Sequence, residues 1–198
     1  MAQGKQAKIL SPKQESAVLR HLDTTRYPER NRVMFLLSVK AGMRAKEIAS
    51  LTWSMVTDAN GEVADELALT NAASKGKGGG RTIPINEKLK SALIALYNSN
   101  RSNSAPHKPV ICSERGRGRM SAGSVTVWFH RLYNDLGLVG CSSHSGRRTF
   151  ITRAARRVIE VGASLRDVQQ LCGHSSLGTT QRYIEGNSEA KRKLVNLI

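Results

Sequence analysis

Apolar residues recur at helical spacing along most of the chain, and the residues that flank each run mark its predicted ends. A first helix is predicted after Ser11, whose hydroxyl can accept a hydrogen bond from the first turn. A second helix is predicted from about Pro28, with Lys40 in its last turn and Gly42 placed to end it in a left-handed conformation. A short helix is predicted for residues 44–51, directly after that turn.

The spacing of apolar residues changes in the middle of the chain, where a β-hairpin is predicted. Residues 66–72 and 81–85 are the two strands, and the glycine-rich segment SKGKGGG between them can make a tight turn. Helical spacing then returns, and further helices are predicted for residues 87–97, 121–136, 146–161, 165–171 and 177–184. The predicted fold class is therefore mainly α with a small antiparallel β-sheet.

The chain carries a large excess of positive charge. It has 31 Lys and Arg residues against 15 Asp and Glu residues, a formal net charge of +16, and its isoelectric point lies near 10.4. A field of this sign attracts polyanions, of which nucleic acid is the commonest. Membrane lipid is the alternative, but the basic residues are not confined to one amphipathic surface helix. Charge indicates binding and not chemistry, because RNA-binding proteins carry similar charge.

Apolar runs and cysteines indicate the compartment in which the protein is expected to act. No stretch approaches the roughly 18 unbroken apolar residues of a membrane helix, and no apolar run follows the lysines at the N-terminus. The three cysteines, Cys112, Cys141 and Cys172, form no CxxC pair, which argues against a disulfide framework or a structural zinc site. The pattern favours a reducing cytoplasm, and with the charge it predicts a nucleoid-associated protein with no membrane partner.

Residues that can carry out chemistry occur in four separate segments. The segment HSGRRTF places His144 and Arg147 three positions apart at a helix start, where one helical turn can bring both to a single ligand. The other candidates are Arg44 in AGMRAKEIASL, Lys75 and Lys77 in the hairpin tip, and His174 and Tyr183 in GHSSLGTTQRY. Each of these alone is a weak signal, because a single His or Tyr is more often a surface or packing residue than a catalyst.

In their order and spacing these residues resemble the catalytic domain of the tyrosine recombinase family, the phage-integrase-like enzymes. That family is marked by an Arg after a Gly turn, a Lys on a β-hairpin, an H-x-x-R motif, and a Gly-His segment whose His precedes a Tyr by nine residues. The resemblance spans about residues 11–190. It implies the tyrosine recombinase catalytic-domain fold, and motifs of this number in this order are highly specific.

The resemblance also implies a domain organisation. Residues 1–10 are expected to be a flexible N-terminal segment, residues 11–185 the catalytic domain and residues 186–198 a C-terminal tail. In relatives such a tail often docks on a neighbouring subunit, and the alternative is that it packs on its own domain. Many relatives also carry a separate N-terminal helical domain, so the sequence is expected to be a naturally short enzyme or, alternatively, a piece of a longer one.

The resemblance assigns a role to each matching residue. The six residues that it makes catalytic are Arg44, Lys75, His144, Arg147, His174 and Tyr183. Tyr183 is the nucleophile and keeps the 3′ phosphate of the cleaved DNA. The two arginines and His174 stabilise the extra negative charge on the non-bridging oxygens. His144 helps to accept the phenolic proton, and Lys75 protonates the departing 5′ oxygen.

Three positions need closer comparison with the family pattern. The H-x-x-R motif usually has Leu as its second x, and Gly146 at this place implies a change in packing rather than lost chemistry. The hairpin is slightly longer than in many relatives, so Lys75 and Lys77 compete for the catalytic place, and Lys75 fits the strand end better. Glu47, one turn after Arg44, is expected to orient that arginine; the alternative is an exposed helix carboxylate.

The function implied by the resemblance is site-specific DNA recombination through a 3′-phosphotyrosyl intermediate, with integration, excision or inversion as the outcome. The implied partners are double-stranded DNA, further copies of the chain in a homo-tetramer on DNA, and an accessory DNA-bending or directionality protein. No cofactor or metal is expected, because no acidic cluster suited to Mg²⁺ occurs among the motifs and cationic side chains can do a metal's work. Two alternatives stay open: a DNA-binding regulator with the fold but no strand exchange, and a type IB topoisomerase-like activity.

Overall fold

The structure, a computed structural model, describes residues 6–74, 80–100, 104–114 and 118–183, together with residues 192, 195 and 196. The chain divides into two compact units, Met1–Phe150 and Ile151–Ile198. The α-helices are α1 (Pro12–Asp23), α2 (Pro28–Lys40), α3 (Ala45–Ser50), α4 (Glu87–Ser99), α5 (Ala122–Asp135), α6 (Ser145–Arg157), α7 (Leu165–Cys172) and α8 (Leu177–Gln181). Strands β1 (Glu66–Leu69) and β2 (Arg81–Pro84) form an antiparallel two-stranded sheet. The predicted fold class is confirmed.

Helix α2 is the central element of the first unit. All residues from Val33 to Val39 are buried, and the helix packs against α1, α3 and α4. A helix that is apolar on every side belongs inside a protein rather than on its surface. Burial of each large apolar side chain stabilises the fold by roughly 1.5–3 kcal/mol, so α2 is the main anchor of the first unit.

The turn between α2 and α3 has the conformation that the sequence predicts. Helix α2 ends at Lys40, and Gly42 has a φ of +63°, a left-handed conformation that glycine adopts without steric cost. The N–H of Met43 donates to the carbonyl of Leu37 at 3.1 Å, which satisfies one of the last carbonyls of α2. As a result Arg44 follows the turn directly and precedes the first residue of α3.

The hairpin is confirmed, but its first strand is shorter than predicted. Leu67 and Ile83 are paired across the two strands, and both are buried. Strand β1 ends at Leu69 because the N–H groups of Ala73 and Ser74 donate to the carbonyl of Thr70, which turns the chain away from the sheet. The tip of the hairpin, residues 75–79, lies outside the described residues.

Two other segments bear on the sequence-based expectations. In the described part of the N-terminal segment, the N–H of Leu10 donates to Thr149 Oγ1 at 2.8 Å and Leu10 is 2% exposed, and the flexibility expected of residues 1–10 stays a prediction. Residues 1–5 lie outside the described residues. Helix α6 ends at Arg157, and a 3₁₀ turn (Ile159–Val161) follows where a continuous helix was predicted.

Helices α6 and α2 approach each other closely at Gly146. A Cβ atom added to Gly146 would lie 2.3 Å from Ser38 Oγ and 2.9 Å from Ser38 Cβ. Real Cβ atoms do not come this close to other atoms, so α6 can lie against α2 at this distance only with glycine here. The space that a leucine would need is occupied by Ser38, which gives the departure from the H-x-x-R pattern a packing cause.

We expect Gly146→Ala to lower the free energy of unfolding by about 1–3 kcal/mol, because the added methyl group overlaps Ser38 in a packed interior. The matched control is Gly123→Ala in α5, where the added Cβ meets Ser121 Oγ at an ordinary 3.7 Å. That control should stabilise the protein by about 0.5–1 kcal/mol, the usual gain for alanine in a helix. Denaturant unfolding measures both variants, and equal changes would contradict the close packing at Gly146.

Candidate active site

The turn at Gly42 holds both arginines that the sequence predicts to be catalytic. Arg44 follows the turn, and its side chain is 25% exposed. Arg147 lies in the first turn of α6 and is buried, and its Nη1 donates to the carbonyl of Gly42 at 2.5 Å. The side chain of Arg147 is thus fixed by the backbone two residues before Arg44.

Glu47 forms the centre of an ion-pair cluster with two arginines. Its carboxylate is fully buried, with an exposed fraction of 0%. Oε1 accepts from Arg44 Nη1 at 2.9 Å and from Arg81 Nη1 at 2.8 Å. Oε2 accepts from the Arg44 backbone N–H at 2.7 Å and from Arg81 Nη2 at 3.0 Å. The expectation that Glu47 orients Arg44 agrees with these contacts, and the alternative of an exposed helix carboxylate is wrong.

The cluster keeps the Glu47 carboxyl ionised. Burial by itself raises the pKa of Glu47, because it removes water from the charged form. Hydrogen bonds and positive charges from Arg81 and Arg44 more than offset this effect, so the pKa of Glu47 lies below its ordinary value of 4.5. A carboxylate that is buried yet charged depends on its partners, and loss of one of them leaves a costly unpaired charge.

Arg81 is a residue of this cluster that the sequence interpretation did not single out. It is the first residue of β2, and its side chain is 10% exposed. The signal that could have found it is the alternation of the strand, because Arg81 and the buried Ile83 lie on the same face of β2. A largely buried arginine needs hydrogen-bond partners, and the Glu47 carboxylate provides two acceptors for Arg81.

His144 lies at the start of α6 with a different exposure from that of Arg147. The start is fixed by two serine hydroxyls: the Ser142 N–H donates to Ser145 Oγ at 2.9 Å, and the His144 N–H donates to Ser142 Oγ at 3.3 Å. The side chain of His144 is exposed, whereas Arg147 is 4% exposed. The two residues belong to one helical turn, but only His144 is open to solvent.

In the second unit His174 and Tyr183 are brought together. Their rings are stacked with centroids 5.6 Å apart and planes inclined by 20°. Helix α7 ends at Cys172 with Gly173 in a left-handed conformation, so His174 immediately follows a tight cap. Tyr183 follows the short helix α8 and is half-buried, and its carbonyl accepts from Thr152 Oγ1 at 3.4 Å. The nine-residue spacing between them thus places the two rings in contact.

Thr180 fixes the orientation of the His174 ring. His174 Nδ1 lies 2.9 Å from Thr180 Oγ1, and the bond is buried, because His174 is 9% exposed and Thr180 is 0% exposed. A hydrogen bond at one ring nitrogen decides which tautomer the imidazole adopts at the other. Thr180 was not predicted as a site residue, and nothing in the sequence pattern distinguishes it from Thr179 beside it.

The predicted catalytic lysine, Lys75, and its competitor Lys77 lie outside the described residues. Within the described ranges, no group of three or more His, Cys, Asp or Glu side chains is arranged to hold a metal ion. None of the helices in the described part of the chain has the length and apolarity that a membrane span requires.

Comparison with known proteins identifies the family. The model of the phage integrase family matches residues 8–190, nearly the whole chain. The chain therefore belongs to the phage integrase family, the family of the tyrosine recombinases.

Individual relatives agree with this assignment. Tyrosine recombinase XerA of Thermococcus onnurineus (strain NA1) is 29% identical over 166 residues, which cover 83% of this chain and 54% of the relative. Tyrosine recombinase XerC of Roseiflexus sp. (strain RS-1) is 29% identical over 188 residues, covering 91% of this chain and 56% of the relative. The chain thus spans about half the length of these curated relatives.

Solved structures confirm the fold. The integrase of the Tn1549 transposon, in complex with transposon right end DNA, matches with a TM-score of 0.72 at 18% identity over 98% of this chain and 67% of that one. A crystal structure of XerA recombinase matches with a TM-score of 0.69 at 23% identity over 96% of this chain and 64% of that one. At these identities the likeness is one of fold.

We expect Glu47→Gln to lower the free energy of unfolding by about 3 kcal/mol at pH 7, because it removes the anion that pairs with two partly buried guanidinium groups. The pKa of the Glu47 carboxyl is lowered in the folded state, so its contribution is fully present above the ordinary value of 4.5. The contribution is lost as the pH falls through the lower, folded pKa. The difference between wild type and variant should therefore shrink below pH 4.5.

Denaturant unfolding between pH 7 and pH 3 measures this difference. The matched control is Glu66→Gln, which neutralises an exposed carboxylate on β1 and should change stability by no more than about 0.5 kcal/mol. A difference in the free energy of unfolding between wild type and Glu47→Gln that stays constant over the whole pH range would contradict the ion-pair interpretation.

We expect His174 to carry its proton on Nε2, with the hydroxyl of Thr180 donating to Nδ1. Thr180→Val keeps the side-chain shape but removes this donor, so it should mix the two tautomers and lower stability by about 1 kcal/mol. Nitrogen-15 NMR of the imidazole ring measures the tautomer directly. Thr179→Val is the control, since the Thr179 hydroxyl bonds Ser176 instead. A wild-type ring protonated on Nδ1 would contradict the assignment.

Proposed function

We propose that this chain cleaves and rejoins double-stranded DNA at a specific site through a covalent bond between Tyr183 and a 3′ phosphate. The observation that carries the proposal is the stacking of Tyr183 on His174 in a chain that belongs to the phage integrase family. A phenol beside a buried imidazole is a nucleophile next to a hydrogen-bond donor for the phosphate that it attacks.

The proposed reaction is a reversible phosphoryl transfer. The phenolic oxygen of Tyr183 attacks the phosphorus atom, the bond from phosphorus to the 5′ oxygen breaks, and a 3′-phosphotyrosyl ester forms. His144, exposed at the start of α6, accepts the phenolic proton, and Lys75 supplies a proton to the departing 5′ oxygen. Attack by a second 5′ hydroxyl reverses these steps and joins the new strands.

Positive side chains support the charge of the transition state in this proposal. Attack adds negative charge to the non-bridging oxygens, and Arg44, Arg147 and His174 donate hydrogen bonds to them. Arginine suits this role better than lysine because its planar fork can bind two oxygens at once. The proposed steps use no nucleoside triphosphate, because the phosphotyrosyl ester retains the energy of the broken bond. They use no metal, because cationic side chains stabilise the charge of the transition state.

Assembly on DNA is part of the proposal. We infer that the chain acts at the nucleoid as a DNA-bound homo-tetramer, with residues 11–185 as the catalytic domain and residues 186–198 docking on a neighbouring subunit. The net charge of +16 and the DNA complexes of related integrases support DNA as the partner, and an accessory DNA-bending or directionality protein would set the direction of exchange.

Light scattering of the DNA complex should show that removal of residues 190–198 lowers the number of subunits bound together; unchanged assembly would exclude trans docking.

The first test is covalent trapping on DNA. The protein is mixed with DNA from its own genomic flanks that carries nicks, so that the cleaved end diffuses away and the adduct accumulates. We expect wild type to form an adduct that survives SDS and Tyr183→Phe to form none, because the phenolic oxygen is the attacking atom. Tyr97→Phe, which removes a phenolic hydroxyl from α4 instead, is the matched control.

The outcomes of this test separate the candidate functions. An adduct lost only in Tyr183→Phe, at a mapped position in the DNA, supports site-specific recombination. Tight binding of the same DNA without any adduct would favour a regulator that has kept the fold. Relaxation of plasmids with no preferred site would favour the type IB topoisomerase-like activity.

A further inference from the structure

The ion-pair cluster of Arg44, Glu47 and Arg81 has an uneven geometry. Arg81 binds the carboxylate through two side-chain nitrogens, one on each oxygen, at 2.8 and 3.0 Å. The Arg44 side chain contacts the carboxylate through Nη1 on one oxygen, at 2.9 Å. A two-point pairing is the stronger and more directional of the two, so Arg81 is the principal counter-ion of Glu47.

Exposure divides the two arginines in the same way. The side chain of Arg81 is 10% exposed, and that of Arg44 is 25% exposed. Glu47 between them is 0% exposed, so its charge is not screened by water. Two guanidinium groups and one carboxylate leave a net charge of +1, and Arg44 is the member of the cluster that an anion from solution can reach more readily.

We propose that Arg81 is a positioning residue that neutralises Glu47, so that the net positive charge of the cluster acts through Arg44 on the phosphate. The inference deepens the proposed function and rests on it for the identity of the phosphate. Glu47 can then orient Arg44 through the backbone N–H and Nη1 without cancelling its charge. The first residue of β2 and the turn after α2 thereby form one electrostatic unit.

Variants that change the net charge of the cluster distinguish the proposed electrostatic role of Arg81 from a purely structural one. Arg81→Gln reduces the net charge of the cluster from +1 to zero, and Glu47→Gln raises it to +2. The double variant Glu47→Gln with Arg81→Gln restores +1. The affinity of Arg44 for an anion should rise with the net charge of the cluster. A purely structural role for Arg81 predicts instead that the double variant binds the anion no better than Arg81→Gln.

The experiment is a titration with inorganic phosphate, followed by NMR on the Nε–H resonance of Arg44, which is assigned by its loss in Arg44→Lys. We expect Arg81→Gln to weaken phosphate binding on the order of tenfold and Glu47→Gln to strengthen it, because one unit charge is changed a few ångströms away. The double variant should bind within about threefold of wild type. Lys90→Gln is the matched control: it also removes one cation from a carboxylate, but its partner Asp65 is 90% exposed and the effect should be under twofold.

The double variant decides the question even if Arg81→Gln does not fold, because it contains no unpaired buried carboxylate. Binding within threefold of wild type supports the inference, and binding tenfold weaker overturns it. Weaker phosphate binding in Glu47→Gln would also overturn it, since both single variants would then move the affinity in one direction.

Covalent trapping of the same variants keeps this inference distinct from the proposed function. A folded Arg81→Gln should form the phosphotyrosyl adduct more slowly, and the double variant should regain part of the rate. If wild type forms no adduct but the phosphate titration follows the expected order, the proposed function fails and the role of Arg81 stands. If the adduct forms but the titration does not follow that order, the proposed function stands and the role of Arg81 fails.

Discussion

A buried carboxylate flanked by two guanidinium groups is the constraint on which the candidate functional residues of the first unit depend. Glu47 has no exposed area, and Arg44 and Arg81 together donate four hydrogen bonds to its carboxylate. A buried charge of this kind is stable only while its partners stay within hydrogen-bonding distance, because an unpaired ion in the interior costs several kcal/mol. The ion pair therefore fixes the start of α3 relative to the start of β2, and so the position of Arg44.

The backbone around this cluster is held by close packing rather than by charge. The left-handed Gly42 ends α2 and passes the chain directly to Arg44, and its carbonyl accepts from the buried Arg147. At Gly146 the helix that carries Arg147 lies against Ser38 at a distance that no side chain would permit. Gly42 and Gly146 thus help to position Arg147, as Glu47 helps to position Arg44. At each of the two glycines a Cβ atom would prevent a close contact.

The second unit contains the proposed nucleophile in a more local arrangement. Tyr183 and His174 are stacked within one short stretch of chain, and Thr180 between them binds the imidazole. Contacts over so few residues follow from the short helix α8, which lies between His174 and Tyr183 and brings the ends of the segment together. This locality is why a fixed spacing of nine residues in the sequence is informative about the chemistry.

The sequence by itself determined the order of helices, the hairpin, the cap at Gly42 and the motif residues, because each depends on local spacing or on backbone conformation. It also indicated the family, since Arg44, the H-x-x-R motif and the His174–Tyr183 spacing occur in a fixed order. The tertiary structure alone decided that Arg81 shares a carboxylate with Arg44, that Gly146 meets Ser38, and that Arg147 is buried while His144 is exposed. The first two facts join residues 34 and 108 positions apart, and no local pattern of apolar and polar residues encodes which distant side chain will lie opposite.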